Sequence, residues 1–251
     1  MIKIKRAEMD GLLLERMPAF EYVKKAFEQF KTEADNAKHL KYGSKCDRLG
    51  QFCPSLLNHR IFRNYKKGRF LKEKPQSGSY AVYEFDGPNA PKRMRHYNKF
   101  GCEMSVYFFE RNGYQYAIPF IGESDSDYHC DIYKFLCKDE RVMEYYEISR
   151  HSLHGETYDY SHLDEGYIEC YRFYYLNSAF NNDDSSPESV QFKEWLGSYF
   201  EEKGLEVNCD PDSASLDEYC YRIFLQGRKV MYIDEYKIIN GELSFSRKIK
   251  C

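Results

Sequence analysis

Apolar and polar positions change period along this chain, and the change divides it. After Pro18 the residues Phe20, Val23, Phe27, Phe30, Ala34 and Ala37 recur at steps of three and four, which puts them on one face of a helix. Pro18 suits the first turn of that helix and Gly43 its stop, since the first turn needs no Pro N–H and Gly ends helices at little cost. Lys24, Lys25, Glu28, Lys31, Glu33 and Lys38 make the opposite, solvated face. A shorter helix is predicted over residues 55–65, with Leu57, Ile61 and Tyr65 in line. Residues 66–79, "KKGRFLKEKPQSGS", mix charge, Gly, Pro and Ser without periodicity and read as a connection.

From Tyr80 onward the period falls to two. In "CEMSVYFFE" the residues Cys102, Met104, Val106 and Phe108 share a face, and "RNG" then turns the chain into "YQYAIPFI", a hairpin pattern. Pro119 predicts that the second of these strands lies at an edge or a bulge. Similar aromatic cores recur at Tyr133, Tyr171 and Tyr221 with unequal spacing, which fits a meander and excludes a solenoid repeat. "NSAFNNDDSSP" is a loop, and Pro187 opens a helix with Phe192, Trp195, Leu196, Tyr199 and Phe200 on one side. The closing runs "YCYRIFLQ", "KVMYIDEYKII" and "LSFSRKI" are joined by Gly227 and by Asn240-Gly241 and predict a three-stranded antiparallel meander. The fold class is therefore α+β: an antiparallel β-sheet meander with an N-terminal amphipathic helix and a later helix near 187–203. Residues 1–75 form a basic, mainly helical region and residues 76–251 a tyrosine-rich antiparallel β region with one helix, whether as two units or as one domain.

Composition supports the sheet, since 24 Tyr and 18 Phe stand against one Trp and aromatics favour pleated strands. Nine Cys are dispersed without tight pairs, the usage of reduced thiols in a cytosol. "MIKIKRAEMDGLLLERM" lacks the apolar stretch of a signal peptide, and no run reaches the roughly 18 apolar residues of a spanning helix. The expectation is a cytoplasmic protein without membrane contact.

Charge is uneven. Residues 1–110 carry 22 Lys+Arg against 13 Asp+Glu, and residues 111–251 carry 15 against 27. The two halves either complement each other in the fold or address partners of opposite charge. Arg60, Arg63, Lys66, Lys67 and Arg69 stand among Phe62, Tyr65 and Phe70, a mixture that suits phosphates and stacked bases, so nucleic acid is one candidate partner. In the acidic half Asp125, Asp127, Asp139, Glu140, Glu144, Asp159, Asp164 and Glu165 sit among tyrosines at turns and strand ends. Tyrosine gives a recognition surface contact area at low entropy cost, and carboxylates steer a basic protein partner.

Candidate chemistry is sparse. "YHCDIYKFLC", residues 128–137, reads as a strand whose pleat sends Cys130 and Cys137 to opposite faces, about 23 Å apart, too far for one zinc with its bonds of about 2.3 Å to sulfur. His129, Asp131 and Tyr133 share a face, as a proton-transfer group or as an ordinary polar stripe. His151 and His154, with His162 nearby, lie in a stretch that reads as a loop; they bind a divalent metal, or supply an acid and a base for a small hydrolase or nuclease, or are solvated loop residues, the commoner case. No phosphate-binding Gly-rich motif or nucleophile elbow is present, which argues against the large nucleotide-dependent enzyme classes, and with the cysteines too far apart for zinc the expectation is no cofactor and no metal.

Residues 80–109, "YAVYEFDGPNAPKRMRHYNKFGCEMSVYFF", resemble strand segments of bacterial immunity proteins from toxin and immunity pairs, in which a tyrosine-rich strand ends in an Asp-Gly turn and continues into a Tyr-Asn-x-Phe-Gly step. The likeness covers about an eighth of the chain. It implies a non-catalytic protein that binds and blocks a cognate toxin, often a basic nuclease. The basic segment 60–74 departs from that pattern; only the acidic half could face such a toxin.

Overall fold

A computed structural model describes residues 4–47, 49–61, 66–87, 91–122, 131–149, 152–177 and 214–251. Its helices are α1 (Arg6–Lys25), α2 (Phe27–Asp35) and α3 (Asn58–Ile61). Its strands are β1 (His39–Ser44), β2 (Phe70–Leu71), β3 (Tyr80–Phe85), β4 (Arg93–Asn98), β5 (Gly101–Arg111), β6 (Tyr114–Ile121) and β7 (Ile132–Lys138), followed by β8 (Arg141–Ile148), β9 (Ser152–Asp159), β10 (Tyr167–Asn177), β11 (Ala214–Gln226), β12 (Lys229–Ile239) and β13 (Glu242–Lys250). All belong to one 13-stranded sheet in the order β13-β12-β11-β10-β9-β8-β7-β6-β5-β4-β3-β1-β2. From β3 to β13 each strand pairs with its neighbours in sequence, so the meander expected from the alternation is present, and sheet dominates the described residues over helix.

Turn chemistry explains the connectivity. Asn112 and Gly113 have φ of 52° and 78°, and Asn240 and Gly241 have 53° and 84°; two left-handed residues give a turn whose twist matches the strands it joins. The β7–β8 turn adopts the same conformation with Asp139 and Glu140, at φ 50° and 61°.

Each face of the sheet is packed. On one, Met9, Leu12, Leu13, Ala19, Val23 and Phe27 from the helices bury against Ile118, Phe120, Ile148, Leu153 and Phe173. On the other, Leu49, Cys53 and Leu57 bury against Tyr83, Phe108, Tyr133, Tyr158 and Ile223. Gly155 on β9 lies on the helix side, where a Cβ would overlap the Phe173 ring and stand 3.0 Å from Tyr146. Ring packing thus needs a gap in β9.

Several expectations are corrected. The first helix starts at Arg6, and Pro18 lies inside it. Met9, Leu12 and Leu13 extend the apolar face upstream, and their burial outweighs a helix-interior Pro, worth roughly 3 kcal/mol. The helical run closes at Asp35, with a break at Ala26. Gly43 lies in β1, where a Cβ would come within 2.8 Å of the Tyr83 ring. Pro119 sits in an interior strand; the β6–β7 ladder covers only Gln115–Ala117, so the missing N–H falls beyond it. The helix predicted over 55–65 is described only as Asn58–Ile61, and the connection after it contains β2. The helix predicted near 187–203 lies outside the described residues.

Candidate functional site: an acidic rim and a buried polar cluster

Because the sheet is an up-and-down meander, alternate turns gather at one end. β8 pairs with β9, so the β7–β8 turn lies beside the β9–β10 connection. Arg141 stands over the Tyr160 ring at 5.3 Å, and Tyr160 donates to the Val142 carbonyl at 2.9 Å, tying the two together. Asp139 and Glu140 are exposed on the first turn; Asp159 ends β9; Asp164 and Glu165 lie in the 3-10 turn Leu163–Glu165. Five of the candidate carboxylates thus share one rim.

Two of these carboxylates are favoured in their charged form by their neighbours. The Ser161 backbone N–H donates to Asp159 at 3.0 Å and brings its carboxyl down to about 2. His162 lies 3.0 Å from Glu165 and lowers its pKa, while the imidazole stacks on Tyr167 at 4.8 Å. Glu144 is not part of this group. It lies on the helix side of β8, accepting from Tyr114 at 2.9 Å and Tyr146 at 3.0 Å. Asp125 and Asp127 lie outside the described residues.

The histidines are not brought together among the described residues. His129 and His151 lie outside them, and His154 sits within β9 instead of a loop. Its ring stacks on Tyr174 with centroids 4.9 Å apart, Nε2 lies 3.4 Å from Glu156 and Nδ1 3.8 Å from Glu147. Glu156 is fully buried and meets Arg172 at 3.3 Å, itself fully buried. Burial alone would raise the Glu156 carboxyl, but Arg172 and His154 hold it below its ordinary value.

Ser55 donates to Glu156 at 3.0 Å and accepts from the N–H groups of Leu57 at 3.2 Å and Asn58 at 3.0 Å. Its hydroxyl therefore serves a carboxylate and the start of α3, not an imidazole, and no nucleophile is activated by His154 through it. Asn58 accepts from Arg172 at 3.2 Å, and Tyr158 accepts the Leu56 N–H at 3.0 Å while donating to Glu156. The cluster fastens residues 55–58 to β9 and β10. Glu156 and Arg172 carry a sequence signal of a kind, as charged residues at inward positions of alternating strands.

In the basic segment, Arg60 is half-buried, donating to the Leu56 carbonyl at 2.6 Å, with its pKa lowered by burial. The Lys66 N–H donates to Asp47, Gln51 donates to the Lys67 carbonyl at 3.2 Å, and the Arg69 N–H donates to Ser44 at 3.0 Å. These bonds fix the backbone against Ser44, Asp47 and Gln51. Arg63 lies outside the described residues. Asp131 accepts from Ser149, and Tyr133 is buried in the core.

Among the described residues no group of three or more His, Cys, Asp or Glu is placed to hold a metal ion, and no helix is long and apolar enough to cross a membrane. Comparison with protein-family models, with curated proteins and with solved structures gives no match to this chain.

Proposed function

We propose that this protein is a non-catalytic, cytoplasmic protein-binding module that presents the acidic rim of its meander to a basic partner, as immunity proteins do to toxin domains. The observation that carries the reading is the Asp139-Glu140 turn. Both residues hold left-handed backbone, φ 50° and 61°, which costs a non-Gly residue roughly 1 kcal/mol or more. The same sheet makes two other turns of this conformation from Asn-Gly, the favoured pair. Two carboxylates kept where they strain the backbone support a role in recognition. Asp159, Asp164 and Glu165 add to the same field, Tyr160 and Tyr167 offer half-buried rings beside it, and rim charges of one sign speed encounter with a partner of the other.

The test is capture of a partner from the native host with the full chain as bait, beside a bait carrying Asp139→Asn, Glu140→Gln, Asp164→Asn and Glu165→Gln. One stoichiometric basic protein, released by salt and bound at least tenfold more weakly by the neutralised bait, is the expected result. Equal retention on both baits would refute the acidic rim as the contact.

A further inference from the structure

A cavity of about 280 Å³ lies between α1 and strands β5–β7, lined by Glu15, Pro18 and Ala19 from the helix and by Arg111, Tyr114 and Lys134 from the sheet. Strand pairing explains its place. Tyr116 lies opposite Lys134, and Lys134 opposite Tyr146; Tyr116 and Tyr146 are buried on the α1 side, so Lys134 and Tyr114 face α1 with them. The cavity sits at the β5–β6 turn end of the sheet. Connections 123–130 and 178–213, outside the described residues, join their strands at the opposite end.

The charged groups of the lining are only partly matched. Lys134 has a side chain just 8% exposed, and among the described residues its one carboxylate partner is Glu15, 43% exposed, at 2.6 Å. The ammonium stands 4.3 Å over the Tyr114 ring and 5.9 Å from that of Tyr116. Tyr116 also donates to Glu15, at 3.3 Å, and both bonds fall on the same oxygen, Oε2. An ammonium has three N–H donors, so Lys134 keeps donors to give and Glu15 keeps Oε1 to accept. Arg111 is exposed, and its guanidinium lies 5.5 Å from the Tyr22 ring with no carboxylate partner among the described residues. Burial first, then Glu144 for Tyr114 and Glu15 for Tyr116, push the two phenols up to about 12. They stay neutral donors, and Tyr114 donates to Glu144 at 2.9 Å.

The open groups are of both signs, and that selects the ligand. A simple carboxylate would meet Arg111 and Lys134 but set its charge against Glu15, and a simple amine would meet Glu15 but crowd the two cations. A zwitterion answers all three. It also leaves the Lys134–Glu15 pair intact, whose rupture would strand a buried charge. The volume falls just below the range of about 300–1,000 Å³ for drug-sized ligands, so the ligand is small, and Pro18 and Ala19 offer it an apolar wall. We propose that this cavity binds a free α-amino acid with an apolar side chain. Its carboxylate accepts from Arg111 and Lys134, its ammonium donates to Glu15, and its side chain lies against Pro18 and Ala19. The site shares no residue with the acidic rim or with segment 60–74, and so goes beyond the proposed partner-binding role.

The test is isothermal titration calorimetry of the full chain with free leucine and phenylalanine, beside phenylpropionate and phenethylamine, which lack the ammonium and the carboxylate respectively. At least one of the two amino acids is expected to bind with Kd below about 1 mM, and both single-charge analogues about tenfold or more weakly than phenylalanine. Arg111→Gln, at an exposed position, should weaken amino-acid binding about tenfold with thermal unfolding unchanged. Glu15→Gln should weaken phenylalanine while leaving phenylpropionate no weaker, a split that mere loosening of α1 would not produce. No binding of either amino acid, an analogue bound as tightly as phenylalanine, or full affinity in Arg111→Gln would overturn the proposal.

Discussion

Ser55 donates a 3.0 Å hydrogen bond to the carboxylate of Glu156, 101 residues later in the chain. This contact, with Asn58 on Arg172 and Leu56 on Tyr158, joins residues 55–58 to the middle of a sheet whose pairing is otherwise local between neighbours. Glu156→Ala would leave the fully buried Arg172 without its nearest carboxylate, and breaking one partner of a buried pair costs about 3–5 kcal/mol. Ser55→Ala removes one hydrogen bond and the cap on α3, about 1–2 kcal/mol. Urea unfolding of the two variants should keep that order, and a Glu156→Ala loss under about 1 kcal/mol would contradict the anchoring role.

His59 gives the fold a pH dependence. Burial first, then Arg60 and Lys67, push this half-buried imidazole down from 6.5 to about 4. As pH falls the unfolded chain takes up the proton first, so stability is fullest above about 6.5 and declines until about 4. Solvent screening of a half-exposed ring keeps the loss near about 1 kcal/mol. Chemical denaturation of His59→Gln across this window is expected to show a flatter profile than the parent; parallel profiles would exclude His59 as the source.

The strands were legible because their cause is local. The alternation of Val106 and Phe108, and the Asn-Gly pairs at 112 and 240, specify strand faces and turns with no reference to distant residues. The helix start was not, because Pro18 is a strong local signal and the packing of Met9, Leu12 and Leu13 on the sheet, which overrides it, is tertiary. The acidic half misled for a related reason. Carboxylates among tyrosines read as a solvated surface, yet Glu144 accepts from Tyr114 at 2.9 Å and from Tyr146 at 3.0 Å, and in the same half Glu218 accepts from Tyr171 at 2.8 Å and Glu235 from Tyr221 at 3.1 Å. Buried phenols need acceptors, so part of that charge serves the interior, and only a register of strands tells these carboxylates from those at the rim.

Ser246 lies at a bulge in β13, the last strand in the sheet order. β12 and β13 pair Tyr236 with Phe245 and Glu235 with Arg247, which leaves Ser246 as the extra residue of a bulge. Glu235 holds it there, accepting from Ser246 at 3.0 Å and from Arg247 at 3.1 and 3.0 Å. A bulge twists an edge strand and interrupts its row of outward N–H and C=O groups, which guards against pairing with another chain. Deleting Ser246 would make the strand regular, with Leu243 and Phe245 already exposed on it. Sedimentation velocity is expected to show the deletion variant associating more than the parent at equal concentration, and identical distributions would assign the bulge no protective role.

The Asp139-Glu140 turn offers the sharpest separation of stability from recognition. Both residues sit at left-handed φ, 50° and 61°, with their side chains exposed, so neither packs against the core. Asp139→Asn with Glu140→Gly converts the turn to the pair already used at residues 112–113 and 240–241. Replacing a left-handed Glu by Gly, with Asn at 139 tolerating that region at least as well as Asp, should stabilise the fold by about 1 kcal/mol, less a few tenths because Gly frees the unfolded chain. If the carboxylates are kept for a partner, the same variant melts higher and binds that partner more weakly. Stabilisation with full partner affinity would move recognition away from this turn; destabilisation would mean that Asp139 and Glu140 hold the hairpin by contacts that outweigh their backbone strain.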